Sequence, residues 1–372
     1  MSEPSDREFE QKSPAASLPK ITSPDLIKLP AGELGFATGA EFRYESLKDD
    51  RDPLVDGTQT YTDWYTGYEY LSDLAGTSPT PDSAGSRQVM SVYGELAMPL
   101  VSPEFDLPFV NALDLQIAGR YEHYSDVGSI ATPKVAAVWQ INDSLLIRGS
   151  WSEGFKAPNL EVLNASEMAR YNNHTDYIFC EAAERQQYIE SYAGCSATYA
   201  VTWHIAGNEN LKPERSVNRT AGLVYRVPGM NSDKGSMSFS ADIWQLDITD
   251  RVGVAPVEDV IARDLYLRTT MQSQDSRVVR NDANSEQQSL FANTGLQAAG
   301  QILFIQTDYQ NQNSLSVKGA DFAMDGAYKS LEWGDFSFQL AASKLISYQQ
   351  ALTAEMTMFN NADNEIGKLR SA

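Results

Sequence analysis

The residues of this chain able to do chemistry are few, and most lie in its polar stretches. Cys180 and Cys195 stand close together in a long polar insert, with no other cysteine to compete for them. A disulfide is the direct reading; it calls for an oxidising compartment, and closing so short a loop removes roughly 3 kcal/mol of unfolded-state entropy. Two free thiols that happen to be neighbours are the competing reading. Zinc is weaker, because only His174 and His204 flank the pair and the spacing fits no standard finger. With His123 these are all the histidines, too scattered for a triad or metal cluster unless distant loops bring them together. No G-x-S-x-G surrounds Ser150 or Ser152, and there is no P-loop, H-E-x-x-H or dinucleotide fingerprint. The expectation is a protein that is not an enzyme and holds neither metal nor cofactor.

The binding candidates are aromatic. Tyr61, Trp64, Tyr65, Tyr68 and Tyr70 crowd one polar stretch, and Tyr171, His174, Tyr177 and Phe179 precede the first cysteine of another. Such rings can stack on sugar faces or on catechol and haem planes, giving large contact area at low entropic cost. Self-packing of a compact loop, or an aromatic girdle at a membrane interface, is the blander reading. Trp64, Tyr65, Tyr68, Tyr171, His174 and Tyr177 are the ligand-contact candidates.

Composition narrows the class of protein that carries them. Fifty Asp and Glu against 29 Lys and Arg leave a net charge of −21. Binding phosphates needs the opposite balance, so nucleic acid is excluded as a partner; the acidic surplus suits a solvated exterior. The chain is 42% hydrophobic, yet no apolar run approaches the ~18 residues of a spanning helix. A helical membrane protein is excluded. A soluble globular protein remains, as does a transmembrane β-barrel, whose alternating strands escape a hydropathy scan.

Period-two alternation marks the elements that must position the loops. Leu34, Phe36, Ala40, Phe42 and Tyr44 share one face, with Glu41, Arg43 and Glu45 on the other. Leu113, Leu115, Ile117 and Tyr121 oppose Asp114, Gln116, Arg120 and Glu122, and Leu145, Ile147 and Trp151 oppose Arg148, Ser150 and Ser152. Strands are expected at 34–45, 87–98, 112–123, 132–140, 144–153, 216–227, 236–248, 315–328 and 335–348. Links at 100–111, 141–143, 228–235 and 329–334 are short or moderate, and those at 46–86, 154–215 and 249–314 are long and polar. Only 125–131 is short on the long-loop side. Short turns on one rim and long loops on the other fit an outer-membrane barrel, with Leu115, Ile117, Leu145 and Ile147 facing lipid and Gln116, Arg120, Arg148 and Ser150 facing the lumen. Arg219 shares the apolar face with Val217, Ala221, Leu223 and Tyr225. A lipid-facing Arg costs roughly 2–4 kcal/mol at mid-membrane and little near the rim, where this one sits.

Two motifs bracket the cysteine insert. Trp151-Ser-Glu-Gly-Phe-Lys-Ala-Pro-Asn-Leu160 and Gly207-Asn-Glu-Asn-Leu-Lys-Pro-Glu-Arg215 resemble the paired signatures of the TonB-dependent receptor β-barrel, G-F-[KR]-A-P-x-L and G-N-x-x-L-K-P-E. The matching residues are Gly154, Phe155, Lys156, Ala157 and Pro158, then Asn208, Leu211, Lys212, Pro213 and Glu214. Gly119–Asp126, Pro133–Ala136 and Ser240–Trp244 also resemble family strands in family order, and the likeness runs from about Leu34 to Tyr348. On the residues alone, Gly154 permits a turn at the strand end, Pro158 enforces an extended chain, and Lys212-Pro213-Glu214 preorganises entry to the next strand.

The resemblance implies an all-β fold: an antiparallel transmembrane β-barrel segment of about nine strands with long extracellular loops, part of a larger barrel of about 22 strands. It implies a Gram-negative outer-membrane receptor importing a scarce solute such as a ferric siderophore, cobalamin or an oligosaccharide. Lipid and that solute are the partners, and the TonB complex is reached only through a plug and TonB box that nothing here resembles. Residues 1–33 are expected to be irregular, 34–348 to be barrel, and 349–372 to begin a truncated extracellular loop. The amino terminus shows no signal peptide, so Met1 is expected to be an internal start. A passive porin-like barrel and a soluble extracellular carbohydrate-binding β-sandwich are the alternatives.

Overall fold

A computed structural model describes residues 8–17, 21–23, 27–70, 78–230, 235–312, 314–330, 334–350 and 359–360. Nine long strands form a wall: β1 Gly35–Asp50, β2 Ser83–Val101, β3 Ala112–Tyr124, β4 Gly128–Gln140, β5 Leu145–Lys156, β6 Glu214–Arg226, β7 Gly235–Thr249, β8 Leu315–Ser330 and β9 Gly334–Gln350. Each pairs antiparallel with the next in chain order. Every expected strand is present, most of them longer than the alternation suggested. The sheet does not close on itself among the described residues. Among the described residues it is a single meander in chain order with no second sheet of comparable size, which corrects the sandwich alternative.

The two ends of the wall carry short additional pairings. Residues Glu8–Lys12, Ala15–Ser17 and Ile21–Ser23 all pair antiparallel with β1, satisfying backbone groups that an edge strand leaves open. At the other end Phe359–Asn360 pair with Gln349 and Gln350 of β9; the rest of the expected truncated loop lies outside the described residues.

Register converts alternation into two chemically distinct faces. One carries Glu41, Arg43, Glu45, Arg87, Ser91, Arg120 and Glu122, tied by ion pairs: Arg43 Nε to Glu45 at 2.6 Å, Arg87 Nε to Glu45 at 2.6 Å, and Arg120 to Glu122. Gln116 donates to Glu95 on this face, and Arg148 forks onto Asp242 at 2.9 and 2.7 Å. The opposite face exposes Met90, Val92, Ile117, Ile147, Leu223, Ile243, Phe322 and Leu340. Tyr44, Tyr121 and Trp151 mark its upper margin, and Trp139, Tyr225, Tyr328 and Phe336 its lower, the aromatic girdles of a bilayer-crossing wall.

The loops depart furthest from expectation. Those at 157–213 and 250–314 are not irregular polar links; they hold helices α1 Leu160–Asn164, α2 Tyr177–Arg185, α3 Val257–Thr270 and α4 Ser285–Phe291. They also supply a four-stranded sheet ordered Met168–Thr175, Thr198–Ile205, Ile302–Gln306 and Val278–Arg280. Its central pairing, Thr202 with Phe304, is parallel and joins the two loops. In α3 the spacing of Val257, Val260, Ile261 and Leu265 is helical, a signal present in the sequence. The turn at 125–127 is a tight hairpin on the same rim.

Candidate ligand-binding site

The two long loops form one cap with its own core. Val201, Val257, Val260, Ile261, Val278, Ile302 and Ile305 pack together, with Tyr177, Tyr199 and Trp203 against them. Ile178, Ala182, Phe291 and Ala299 make a second cluster. Cys180 and Cys195 are bonded, with a Cα–Cα distance of 5.5 Å, so the disulfide reading holds and staples α2 to the turn that follows it.

Charge is buried here as well, and only in compensated form. Asp176 and Asp264 are fully buried, 104 and 16 residues from Arg280, whose guanidinium forks onto Asp176 at 2.6 and 2.9 Å and onto Asp264 at 2.9 Å. Arg268 adds a bond to Asp264 at 2.9 Å, and the Tyr199 hydroxyl donates to Asp176 at 2.7 Å. Burial works against the Arg280 cation, yet the two carboxylates outweigh it and raise its pKa; burial and the Asp176 charge push the Tyr199 hydroxyl up. Burial would also raise the Asp275 carboxyl, but hydrogen bonds from Arg277 and Arg263 hold it at about 2.

The paired motifs form the joint between wall and cap. Pro158 is buried, and its carbonyl accepts from Arg87 Nη1 at 2.7 Å, locking the exit of β5 to β2. The Arg87 guanidinium lies 5.0 Å from the Tyr124 ring centre, and Phe155 meets that ring edge-on. Asn208 donates through Nδ2 to the Tyr309 carbonyl at 2.9 Å, while its Oδ1 accepts from Asn210 N at 2.9 Å. Lys212 N donates to Asn311 Oδ1 at 2.8 Å, and Asn311 Nδ2 returns to the Lys212 and Asp250 carbonyls, each at 2.8 Å. Glu214 accepts from Val252 N at 3.0 Å and lies 3.5 Å from Lys156. Leu211 is buried. Gly207 runs against α1: a Cβ there would lie 2.5 Å from Ala165 N and 2.8 Å from Leu163 O. Gly154 is not a turn but part of β5, where a Cβ would meet Ser216 Oγ at 2.7 Å. The motifs therefore act as stitches between the wall and the loops.

The aromatic candidates divide. Tyr61–Thr62 and Glu69–Tyr70 pair as a small hairpin. Its turn is fixed by Asp63, whose carboxylate accepts from Tyr65 N at 2.8 Å and Thr66 N at 2.9 Å; those amides lower its pKa. Trp64 and Tyr65 project at 88% and 83% exposure, with Tyr68 at 63%. Tyr171 is likewise 63% exposed. His174 and Tyr177 are elsewhere. His174 is 8% exposed, edge-on to Trp203 at 5.5 Å, with Nδ1 3.1 Å from Glu258, and Tyr177 packs on the cap core. His174 is thus buried and Tyr177 partly buried, packed into the cap rather than displayed on its surface. The return of the first loop is pinned to it by Arg170, which donates to Pro79 O at 3.0 Å and Thr80 Oγ1 at 2.6 Å. Among the described residues no cluster of His, Cys, Asp and Glu could hold a metal ion.

Comparison with known proteins agrees with this architecture. The family model for the TonB dependent receptor-like β-barrel matches residues 25–368. The ferrienterobactin receptor of Escherichia coli is 25% identical over 192 residues, 51% of this chain and 21% of the relative. A probable TonB-dependent siderophore receptor, PirA, of Acinetobacter baumannii is 25% identical over 35% of this chain and 15% of the relative. The solved ferric enterobactin receptor of Pseudomonas aeruginosa superposes with a TM-score of 0.53 at 16% identity, covering 91% of this chain and 36% of that one. This chain thus matches only about a fifth of the curated relatives' length, and just over a third of the solved chain. The family is one of Gram-negative outer-membrane transport receptors rather than enzymes, and with a model match over nearly its whole length and a wall of the same fold, this chain belongs to the TonB-dependent receptor β-barrel family.

Proposed function

We propose that the chain forms wall and capture cap of an outer-membrane receptor for energy-coupled uptake of a ferric siderophore. The observation that carries this reading is the folding of two long same-rim loops into one disulfide-tied cap beside a hairpin that displays Trp64, Tyr65 and Tyr68. A scaffold this rigid lets exposed rings bind planar aromatic or catechol groups without first ordering a loop. Tyr171 adds a further exposed ring on the cap sheet, and His174 and Tyr177 hold that sheet from behind. Supporting the siderophore over cobalamin or an oligosaccharide, the relatives are named as receptors for ferric enterobactin or siderophores. Coupling to the TonB complex would run through a plug and TonB box, and the wall's charged face would line the passage.

Ferric enterobactin titrated into the detergent-purified chain tests the reading. Quenching of tryptophan emission is expected, and Trp64→Ala combined with Tyr65→Ala and Tyr68→Ala should weaken binding by about tenfold or more, since each stacked ring contributes roughly 1 kcal/mol. A neutral oligosaccharide that binds while ferric enterobactin does not would replace the siderophore with a sugar.

A further inference from the structure

The turn joining β2 to β3 lies on the rim opposite the cap and plays no part in solute capture. Residues 103–109 are all exposed, among them Phe105 at 38% and Phe109 at 77%. Phe109 has φ +64°, a left-handed conformation that side chains bearing a Cβ avoid. Asp106 has φ +45° in the same turn. The fold thus holds a disfavoured backbone whose visible result is an aromatic ring in the open, and in water such a ring gains nothing.

The turn leans toward lipid rather than over the lumen. Trp139 of β4 has the lipid-facing parity of Val135, and it pairs with Leu113, which has the parity of Leu115. Its indole Nε1 donates to the Phe109 carbonyl at 3.0 Å. The register between β2 and β3 shifts beside Leu113, so that Leu100 falls between the paired Pro99 and Val101 as an extra residue; such a bulge bends its strand. Leu100 is itself 43% exposed. On the other side, Asp106, Asn111, Asn142 and Asp143 line much of a cleft of about 190 Å³ between this turn and the next, and neither Phe105 nor Phe109 borders it. The turn is amphipathic, with its rings continuing the exposed apolar face of the wall. Its charge is one-sided. No Lys or Arg occurs between Arg87 and Arg120, whereas Glu104 and Asp106 flank Phe105 and Asp143 stands across the cleft. An acidic turn without cations is repelled by an anionic surface and suits headgroups that carry an amine.

We propose that this turn is an interfacial anchor that seats the wall in the leaflet opposite the cap, and that the surface it recognises is phosphatidylethanolamine. Phe109 and Phe105 enter the boundary between headgroups and acyl chains, where burial of the rings offsets the strained backbone. Glu104 and Asp106 stay at the headgroup level, beside the lipid ammonium. Trp139 is a positioning residue that sets the angle of Phe109.

Spin-label accessibility in vesicles tests this. Cys180 and Cys195 are bonded to each other, so Phe109→Cys in the unreduced 372-residue chain offers one labelling site. In vesicles rich in phosphatidylethanolamine, a nitroxide there should favour collision with oxygen over a neutral nickel chelate by about threefold or more relative to one at Asp143→Cys. Adding Trp139→Phe, which keeps a ring and removes the N–H, should shrink that contrast about twofold, and so should exchanging phosphatidylethanolamine for phosphatidylglycerol. Heat-modifiable migration checks folding; should the Phe109 variant fail, Phe105→Cys takes its place with the same expectation. A label at 109 as open to the nickel chelate as the one at 143 would overturn the anchor, and dipolar broadening between labels on two chains would replace lipid with a second copy. An unchanged contrast with Trp139→Phe would overturn the positioning role, and an equal or greater one in phosphatidylglycerol the choice of headgroup.

Discussion

Replacing Arg280 with Met should open the cap while leaving the wall intact. The substitution keeps most of the side-chain volume but removes both bonds to Asp176 and both to Asp264, two carboxylates with no solvent exposure, and the bond to the Gly300 carbonyl. Arg268 still reaches Asp264, so Asp176 bears most of the loss. Stripping one partner from a buried ion pair costs about 3–5 kcal/mol, because the remaining charge is stranded in a low dielectric. That raises the open-cap population about 150- to 5000-fold. Limited proteolysis in detergent, with cuts mapped by mass, should show faster cleavage confined to 157–213 and 250–314, and heat-modifiable migration should be unchanged. Adding Asp176→Asn and Asp264→Asn should recover part of the protection, since neutral amides are cheaper to bury unpaired. Wild-type cleavage rates in the single variant would refute the argument, and a triple variant as labile as the single one would show that stranded charge is not the source of the loss.

Other consequences are equally open to measurement. Cysteine labelling in membranes should find Leu115, Ile117, Leu145 and Ile147 shielded by lipid and Gln116, Arg120, Arg148 and Ser150 reached by water-soluble reagents; equal labelling of Leu115 and Gln116 would break the assignment of faces. Gly207→Val forces a side chain into the Leu163–Ala165 backbone, at about 1–3 kcal/mol for such overpacking, and should loosen the cap; unchanged proteolysis would sink the joint described for the motif. Asp275 titrates at about 2 in the fold, below its ordinary value near 4. Its contribution, roughly 2–3 kcal/mol, is therefore full above pH 4 and is lost as pH falls toward 2, so cap protection should fall in that window; Asp275→Asn should flatten the dependence. Mass mapping of unreduced protein should recover Cys180 linked to Cys195, and mild reduction should speed cleavage of the α2 segment without altering wall migration.

The wall was legible in the sequence because its physics is local. Alternation between residues such as Leu115 and Gln116 fixes both the strand and its faces, since a one-residue slip would turn an oily face to the lumen; loop lengths then sort the rims without further information. The isolated cysteines identified their own bond, and the two motifs announced the family. What they do physically could not be read, because Asn208 acts on Tyr309 and Lys212 on Asn311, about a hundred residues away. The cap was missed for the same reason. Its helix α3 carries a readable apolar spacing, but the parallel pairing of Thr202 with Phe304 and the meeting of Asp176, Asp264 and Arg280 exist only once two separate loops fold together. His174 shows the limit most simply: the same residue type next to the same aromatics serves equally as a surface ligand contact or as core, and only the packing of Trp203 and Glu258 around it decided for core.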